Sequence, residues 1–340
     1  MKKLKYIVSI LLIFFFVVCG TIYYLFFYPN TAIKYEADLY INKKDAFPDV
    51  LNKLRIEKLL KNTVTFKIAA KLSKYDNLVK PGRYVVRGGM SNYDLIKMLR
   101  SGEQTPVEFT FNNLRTLAEL ASTLSQQLDV DSVEFMGLVK DTSIVNELGF
   151  NIETIPAMFI PNTYQLYMNI SEEEFLRRMK KEYVKFWNDK RTSKAAEAGL
   201  STVEVTILAS IVEEETLKPK EFPVVAGVYI NRLRKGIPLA ACPTLKYAWN
   251  DFTIKRVLKK HLQIDSPYNT YKHKGLPPGP VRIPSVQVID SVLNYSKHNY
   301  LFFCAKSDFS GEHYFSKTLR EHNNYANEYH HALNDRKIFK

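Results

Sequence analysis

Three consecutive glutamates, Glu213, Glu214 and Glu215, close the apolar segment 201–216. A carboxyl group can serve as general acid or base, and its surroundings decide whether it does. Ser201 and Glu204 form a capping box, which predicts a helix starting there. Leu208, Ile211 and Val212 define a buried stripe on that helix. Glu215 lies seven residues after Leu208, four after Ile211 and three after Val212, so it continues the stripe. Glu213 falls beside Ala209 and Ser210, away from the stripe's centre, and Glu214 flanks it. A carboxylate at the end of an apolar face loses solvation, and its pKa rises. A carboxyl group still protonated near neutral pH is what a general acid needs. The same spacing also suits an exposed helix end with three glutamates facing water. Spacing alone leaves both readings open.

Other chemistries find less support. The histidines 261, 273, 298, 313, 322, 330 and 331 show no HExxH or comparable spacing, so no metal site is expected. The three cysteines, Cys19, Cys242 and Cys304, include no CxxC, which argues against a thiolate zinc site. Cys242 and Cys304 could pair in an oxidising compartment, but two cysteines make no disulfide framework. The formal charge of +13 comes from 48 Lys and Arg against 35 Asp and Glu. It suits nucleic acid, anionic lipid or a carboxylate-bearing cell wall, and equally a plain solvated surface.

The N-terminus narrows that choice. Tyr6 to Tyr28 is a run of 23 residues without charge, long enough to span a bilayer as a helix. Lys2, Lys3 and Lys5 precede it, which places the N-terminus in the cytoplasm and the rest of the chain outside. A cleaved signal peptide is the rival reading. The run exceeds the usual h-region and is followed by no A-x-A-like site, so an uncleaved anchor is expected. On this topology nucleic acid is excluded as a partner.

Small alternating units follow the anchor. Ala37–Ile41 reads as a strand, 47–60 as a helix and 83–86 as a strand after the turn at Lys80-Pro81-Gly82. Ser91 is an N-cap candidate for a helix carrying Leu95, Ile96 and Leu99, with Gly102 as its C-cap. A strand at 107–111 and a helix at 116–128 make a second unit. Residues 130–200 read as mainly helical, with Phe175, Met179, Tyr183, Phe186 and Trp187 as a core stripe. Beyond residue 240 the chain is rich in Pro and aromatics and its periodicity is less clear. The fold class expected is α+β.

At this point the motifs acquire a common source. The stretch 208–216, ending Glu213-Glu214-Glu215-Thr216, resembles the signature helix of the YceG-like family of endolytic murein transglycosylases. Family members carry a Glu-x-Glu-Thr ending there. Val228-Tyr229-Ile230-Asn231-Arg232-Leu233, the segment 239–247 with Cys242-Pro243-Thr244, Ser266-Pro267-Tyr268-Asn269-Thr270-Tyr271 and Gly275-Leu276-Pro277-Pro278-Gly279-Pro280 are similar to further family segments. So are Lys80-Pro81-Gly82-Arg83-Tyr84, Pro161-Asn162-Thr163-Tyr164, His313, Phe315 and His322. Cys242 and Asn162 stand where many members have Asp.

The resemblance implies an N-terminal transmembrane helix (1–28), a small LysM-like module (35–105) and a larger mixed α+β catalytic domain (106–340). It implies a lyase of the bacterial cytoplasmic membrane, a single-pass protein with its catalytic domain on the outer side. That lyase cleaves the β-1,4 bond between N-acetylmuramic acid and N-acetylglucosamine without water, leaves a 1,6-anhydro end and limits glycan strand length. Glu215 maps onto the family's catalytic glutamate. Tyr268, Asn269 and Thr270 are candidates to support the sugar. Asn231 and His313 are candidates too, each with a structural role as an equal reading. No cofactor and no metal is implied. The partners implied are peptidoglycan glycan strands, the membrane and wall-synthesis enzymes in it. Two other functions remain on the sequence: a lysozyme-like hydrolase, needing a second carboxylate such as Asp251, Asp265 or Asp290, and a non-enzymatic wall-binding scaffold.

Overall fold

A computed structural model describes residues 2–254 and 257–336. The chain begins with α1 (Lys2–Phe26), then β1 (Glu36–Ile41), α2 (Phe47–Ile56), α3 (Thr63–Leu72), β2 (Gly82–Arg87) and α4 (Asn92–Ser101). Next come β3 (Val107–Phe111), α5 (Leu117–Gln127), α6 (Ser132–Leu138), α7 (Thr142–Glu147) and β4 (Asn162–Leu166). Helices α8 (Glu172–Phe186), α9 (Asp189–Ala198), α10 (Thr202–Glu215), α11 (Phe222–Arg234), α12 (Cys242–Trp249) and α13 (Val286–Leu293) follow. The chain closes with β5 (Phe302–Ala305), β6 (His313–Ser316) and α14 (Leu319–Asp335). The fold is mixed α+β. Its strands form three two-stranded sheets, β1–β2, β3–β4 and β5–β6.

These elements form two compact units. One holds residues up to Phe109 together with Leu124–Val130 and Tyr164–Ser171. The other holds Thr110–Thr123, Asp131–Thr163 and the chain from Glu172 onward.

In the first unit β1 and β2 pair antiparallel, Leu39 opposite Tyr84 and Ala37 opposite Val86. Leu39, Ile41, Tyr84 and Val86 face a core completed by Leu54, Phe66, Leu95 and Leu99. Helix α4 starts as expected, with a Ser91–Asp94 capping box, and ends on Gly102 at φ 79°, a left-handed position that glycine takes without strain. Helix α2 is shorter than its sequence reading. Lys58 turns left-handed at φ 53°, so Leu59 and Leu60 are buried beyond the helix end. Helix α1 is long and apolar enough to cross a membrane over Lys3–Phe26, with a mean hydropathy of 2.5. Its last turn is tied to the unit by Asn92, whose amide donates to the Leu25 carbonyl at 2.8 Å.

The second unit is organised around α10. Ser201 and Glu204 make the reciprocal capping box, and Thr216 ends the helix in an extended conformation. Every residue from Val205 to Val212 is buried, so the helix is enclosed all round rather than along one stripe. Helices α11, α12 and α13 pack against it. Pro223 in the first turn of α11 suits a position whose N–H has no helical partner. Gly227 lets α11 approach the 296–298 segment, since a Cβ there would lie 2.4 Å from the Ser296 carbonyl. Along α8, Phe175, Met179, Tyr183 and Trp187 are buried, and Phe186 lies under the Arg191 guanidinium at 4.0 Å.

Candidate active site

The three glutamates at the end of α10 have different surroundings. A helix C-terminus carries partial negative charge, so each carboxylate there needs compensation. Glu214 receives a two-pronged grip from Arg115, both contacts at 3.1 Å, and a third bond from Arg282 at 2.8 Å. Glu213 pairs with Arg282 at 3.2 Å and accepts the Ser285 N–H at 3.1 Å. Both side chains are about nine-tenths enclosed, so the reading of three glutamates facing water is overturned. They anchor the 281–285 loop to the helix end. That loop is also fixed by the Val281 N–H on the buried Ser210 hydroxyl and the Ile283 N–H on the Leu114 carbonyl.

Glu215 has no ion pair among the described residues. Its Oε1 accepts the Tyr229 hydroxyl at 2.8 Å, and the backbone N–H of Cys242 also bonds the carboxylate. That N–H belongs to the first turn of α12, a helix end with spare donors. Burial pushes the Glu215 pKa up. The Tyr229 bond, the Cys242 bond, the charge of Lys246 and that of His313 when its ring is protonated oppose it without winning. The side chain nevertheless keeps some solvent contact. The result is a recessed, protonatable carboxyl group held by two donors.

The rest of the wall comes from α11, α12 and β6. Tyr229 is buried and packs edge-on against Phe303, with ring centres 5.8 Å apart; His313 meets the same ring edge-on at 5.4 Å. Cys242 Sγ lies 3.2 Å from the Tyr271 hydroxyl, and burial pushes the thiol's pKa up. Arg232 spends its guanidinium on the Leu239 and Leu301 carbonyls at 2.7 and 2.6 Å. Glu221, nearly buried, accepts bonds from Thr216 Oγ1, His313 Nδ1 and the His313 N–H, each at 2.8 Å. Burial works to raise its pKa, but the bonds from His313 and Thr216 outweigh it and hold the carboxyl below its ordinary value.

The residues singled out in the sequence divide into two groups. Glu215 and His313 belong to this cluster. Asn269 and Thr270 are buried, with their side chains spent on the protein. The Asn269 amide donates to the Leu262 and Ile264 carbonyls, and the Thr270 hydroxyl meets Thr244 Oγ1 and the Ala241 N–H. In this conformation their side chains hold the loop. Asn231 likewise donates to the His298 and Tyr300 carbonyls, at 2.7 and 3.0 Å. Tyr268 is partly exposed and packs on Tyr247 with ring centres 4.6 Å apart. A Cβ at Gly279 would strike the Glu153 carbonyl at 1.9 Å, so the double-proline loop runs hard against its neighbours.

Sequence reasoning passed over Tyr229, Glu221, Lys246 and Tyr271. Three of them lie inside the quoted motifs, but no spacing argument separates them from core residues. Glu221 looks like an ordinary helix-start acid before Pro223. Among the described residues no group of His, Cys, Asp and Glu could hold a metal, and Cys242 and Cys304 are both free thiols.

Comparison with known proteins places the chain among relatives. Residues 39–328 match the YceG-like family. An endolytic murein transglycosylase of Bacillus subtilis strain 168 is 30% identical over 274 residues, covering 75% of this chain and 74% of that protein. A protein of the same name from Streptococcus pneumoniae D39 is 28% identical over 298 residues, 78% of this chain. The chain spans 53% of that pneumococcal relative's length. The crystal structure of a yceG-like protein from Listeria monocytogenes superposes with a TM-score of 0.57 at 25% identity, covering 85% of this chain and 98% of that one.

Proposed function

Because the chain belongs to the YceG-like family, we propose that it is a membrane-anchored endolytic murein transglycosylase with Glu215 as its acid/base. The observation that carries this is the contrast at the end of α10. Glu213 and Glu214 are neutralised by arginines, while Glu215 is desolvated, without an ion pair among the described residues and biased toward its protonated form. In this reading Glu215 gives its proton to the leaving oxygen of the β-1,4 bond. The same carboxylate then takes the proton of the muramic C6 hydroxyl, which closes the 1,6-anhydro ring. Intramolecular attack replaces the second carboxylate that a hydrolase needs, and it gains from proximity. The three aspartates considered for a hydrolase support this division. Asp290 is committed to Arg191 at 2.9 and 3.0 Å, Asp251 bonds its own turn at Thr253, and Asp265 is exposed.

The lysines in the first turns of α1 support a cytoplasmic N-terminus with the catalytic unit outside. Residues 35–105 are proposed to hold the glycan strand as a LysM-like module. An open groove of about 760 Å³ in the first unit, lined by Tyr40, Arg83, Glu108, Gln127 and Gln165, offers the mix of ring and polar groups that sugars bind. Wall-synthesis enzymes in the same membrane are the proposed partners. Mass spectrometry of fragments released from purified peptidoglycan tests the reaction type. Anhydro ends are expected, and reducing ends throughout would replace this reading with a hydrolase.

A further inference from the structure

Glu221 plays no part in the proton transfers above, yet it is among the most tightly bonded side chains around Glu215. Its Oε2 accepts both Thr216 Oγ1 and His313 Nδ1, and its Oε1 accepts the His313 N–H. Thr216 is the residue that follows Glu215 and ends α10, so one carboxylate ties the end of that helix to β6. An ionised carboxylate only accepts hydrogen bonds, so the ring proton of His313 must sit on Nδ1. In the neutral ring Nε2 is then a lone-pair acceptor. Nε2 makes no hydrogen bond among the described residues and is not sealed from solvent. Phe303 packs edge-on against both His313 and Tyr229, so one ring braces the imidazole and the tyrosine that bonds Glu215, and His313 lies within electrostatic reach of that carboxyl group.

We infer that Glu221 is a positioning residue, fixing His313 so that its Nε2 accepts a hydrogen bond from a hydroxyl or acetamido N–H of the sugar beside Glu215. This rests on the acid/base reading of Glu215 and adds the group that orients the sugar against it. Only the acceptor face of His313 is offered, which selects for a donor on the glycan. Misplacing a group that orients the sugar by about 1 Å costs activity on the order of a hundredfold.

The test is a double-mutant cycle on the full-length, detergent-solubilised chain, reading the rate of fragment release from purified peptidoglycan. Glu221→Gln and His313→Ala should each lower the rate by about a hundredfold. The double variant should be no slower than His313→Ala alone, because both changes remove the same contact. His313→Gln, which keeps an acceptor near the Nε2 position, should recover at least part of the loss. Losses that multiply in the double variant would overturn the inference, as would a wild-type rate for Glu221→Gln. If Glu221→Gln fails to fold, equal rates for His313→Gln and His313→Ala would overturn it instead. A Glu215→Gln control keeps the two ideas separate. When that control is inactive but the cycle shows no coupling, the positioning role alone fails.

Discussion

In the β1–β2 unit, burial follows the pleat: Leu39 and Ile41 face inward around an outward Tyr40, and Tyr84 and Val86 alternate with Arg83 and Val85. Its charge pairs lie toward solvent to differing degrees, from the well-exposed Arg87–Glu36 pair to the partly enclosed Lys53–Asp45 pair. Around α10 the arrangement differs. The helix is enclosed on every side, and carboxylates, arginines, a histidine and tyrosines are drawn into the interior. The first arrangement rests on an apolar core, with buried polar groups that are uncharged and paired, as in the Asn30–Asn92 bond at 2.7 Å. The second carries desolvated charge that must be neutralised locally, and it leaves one carboxyl group that is not. That difference separates a region built to hold its shape from one that suits the proposed proton transfers.

The comparison can be broken at three points. Arg282→Ala removes a cation shared by Glu213 and Glu214 and leaves charge at the negative end of α10. It should cost about 3–5 kcal/mol in a denaturant titration and slow glycan cleavage as well. Wild-type stability in that variant would show that the glutamates are not held as described. Leu54→Ala opens a cavity in the first unit's core and should cost about 2–5 kcal/mol. It should leave cleavage of short soluble glycans unchanged, and a comparable loss of that rate would erase the distinction between the regions.

Tyr229→Phe has the smallest expected effect. The Tyr229 hydroxyl stabilises the carboxylate of Glu215, so its removal raises an already raised pKa. The acid form then persists to higher pH, and the alkaline limb of the kcat/KM profile should move upward. Movement downward would contradict the assigned bond. The other titratable or charged groups facing Glu215 (His313, Lys246 and Arg232) are unchanged in that variant.

Much of this fold is legible in the chain. The capping boxes at Ser91 and Ser201, the Gly102 cap and the strand at Val107–Phe111 all follow from local chemistry. Helix α3 escaped because it opens on β-branched Thr63, Val64 and Thr65, weak helix formers rescued by the Asn62 cap. The β5–β6 hairpin escaped because its residues are half-buried on both faces and show no alternation. In the site, helical spacing brought Glu215 forward but treated its neighbours as flanking charge. Their arginine partners, Arg115 and Arg282, lie about a hundred and about seventy residues away in the chain. Periodicity carries no information over such separations. The same holds for Glu221 and His313, joined across 92 positions.

The most direct measurement is the release of soluble fragments from purified peptidoglycan by the wild-type chain and by Glu215→Gln, at matched folded concentration. The variant keeps the shape and hydrogen-bonding size of the side chain and loses only its titratable proton. Release should fall by about 10²–10⁴-fold, the range a positioned acid/base supplies. Release at the wild-type rate would remove Glu215 from the chemistry and the account with it.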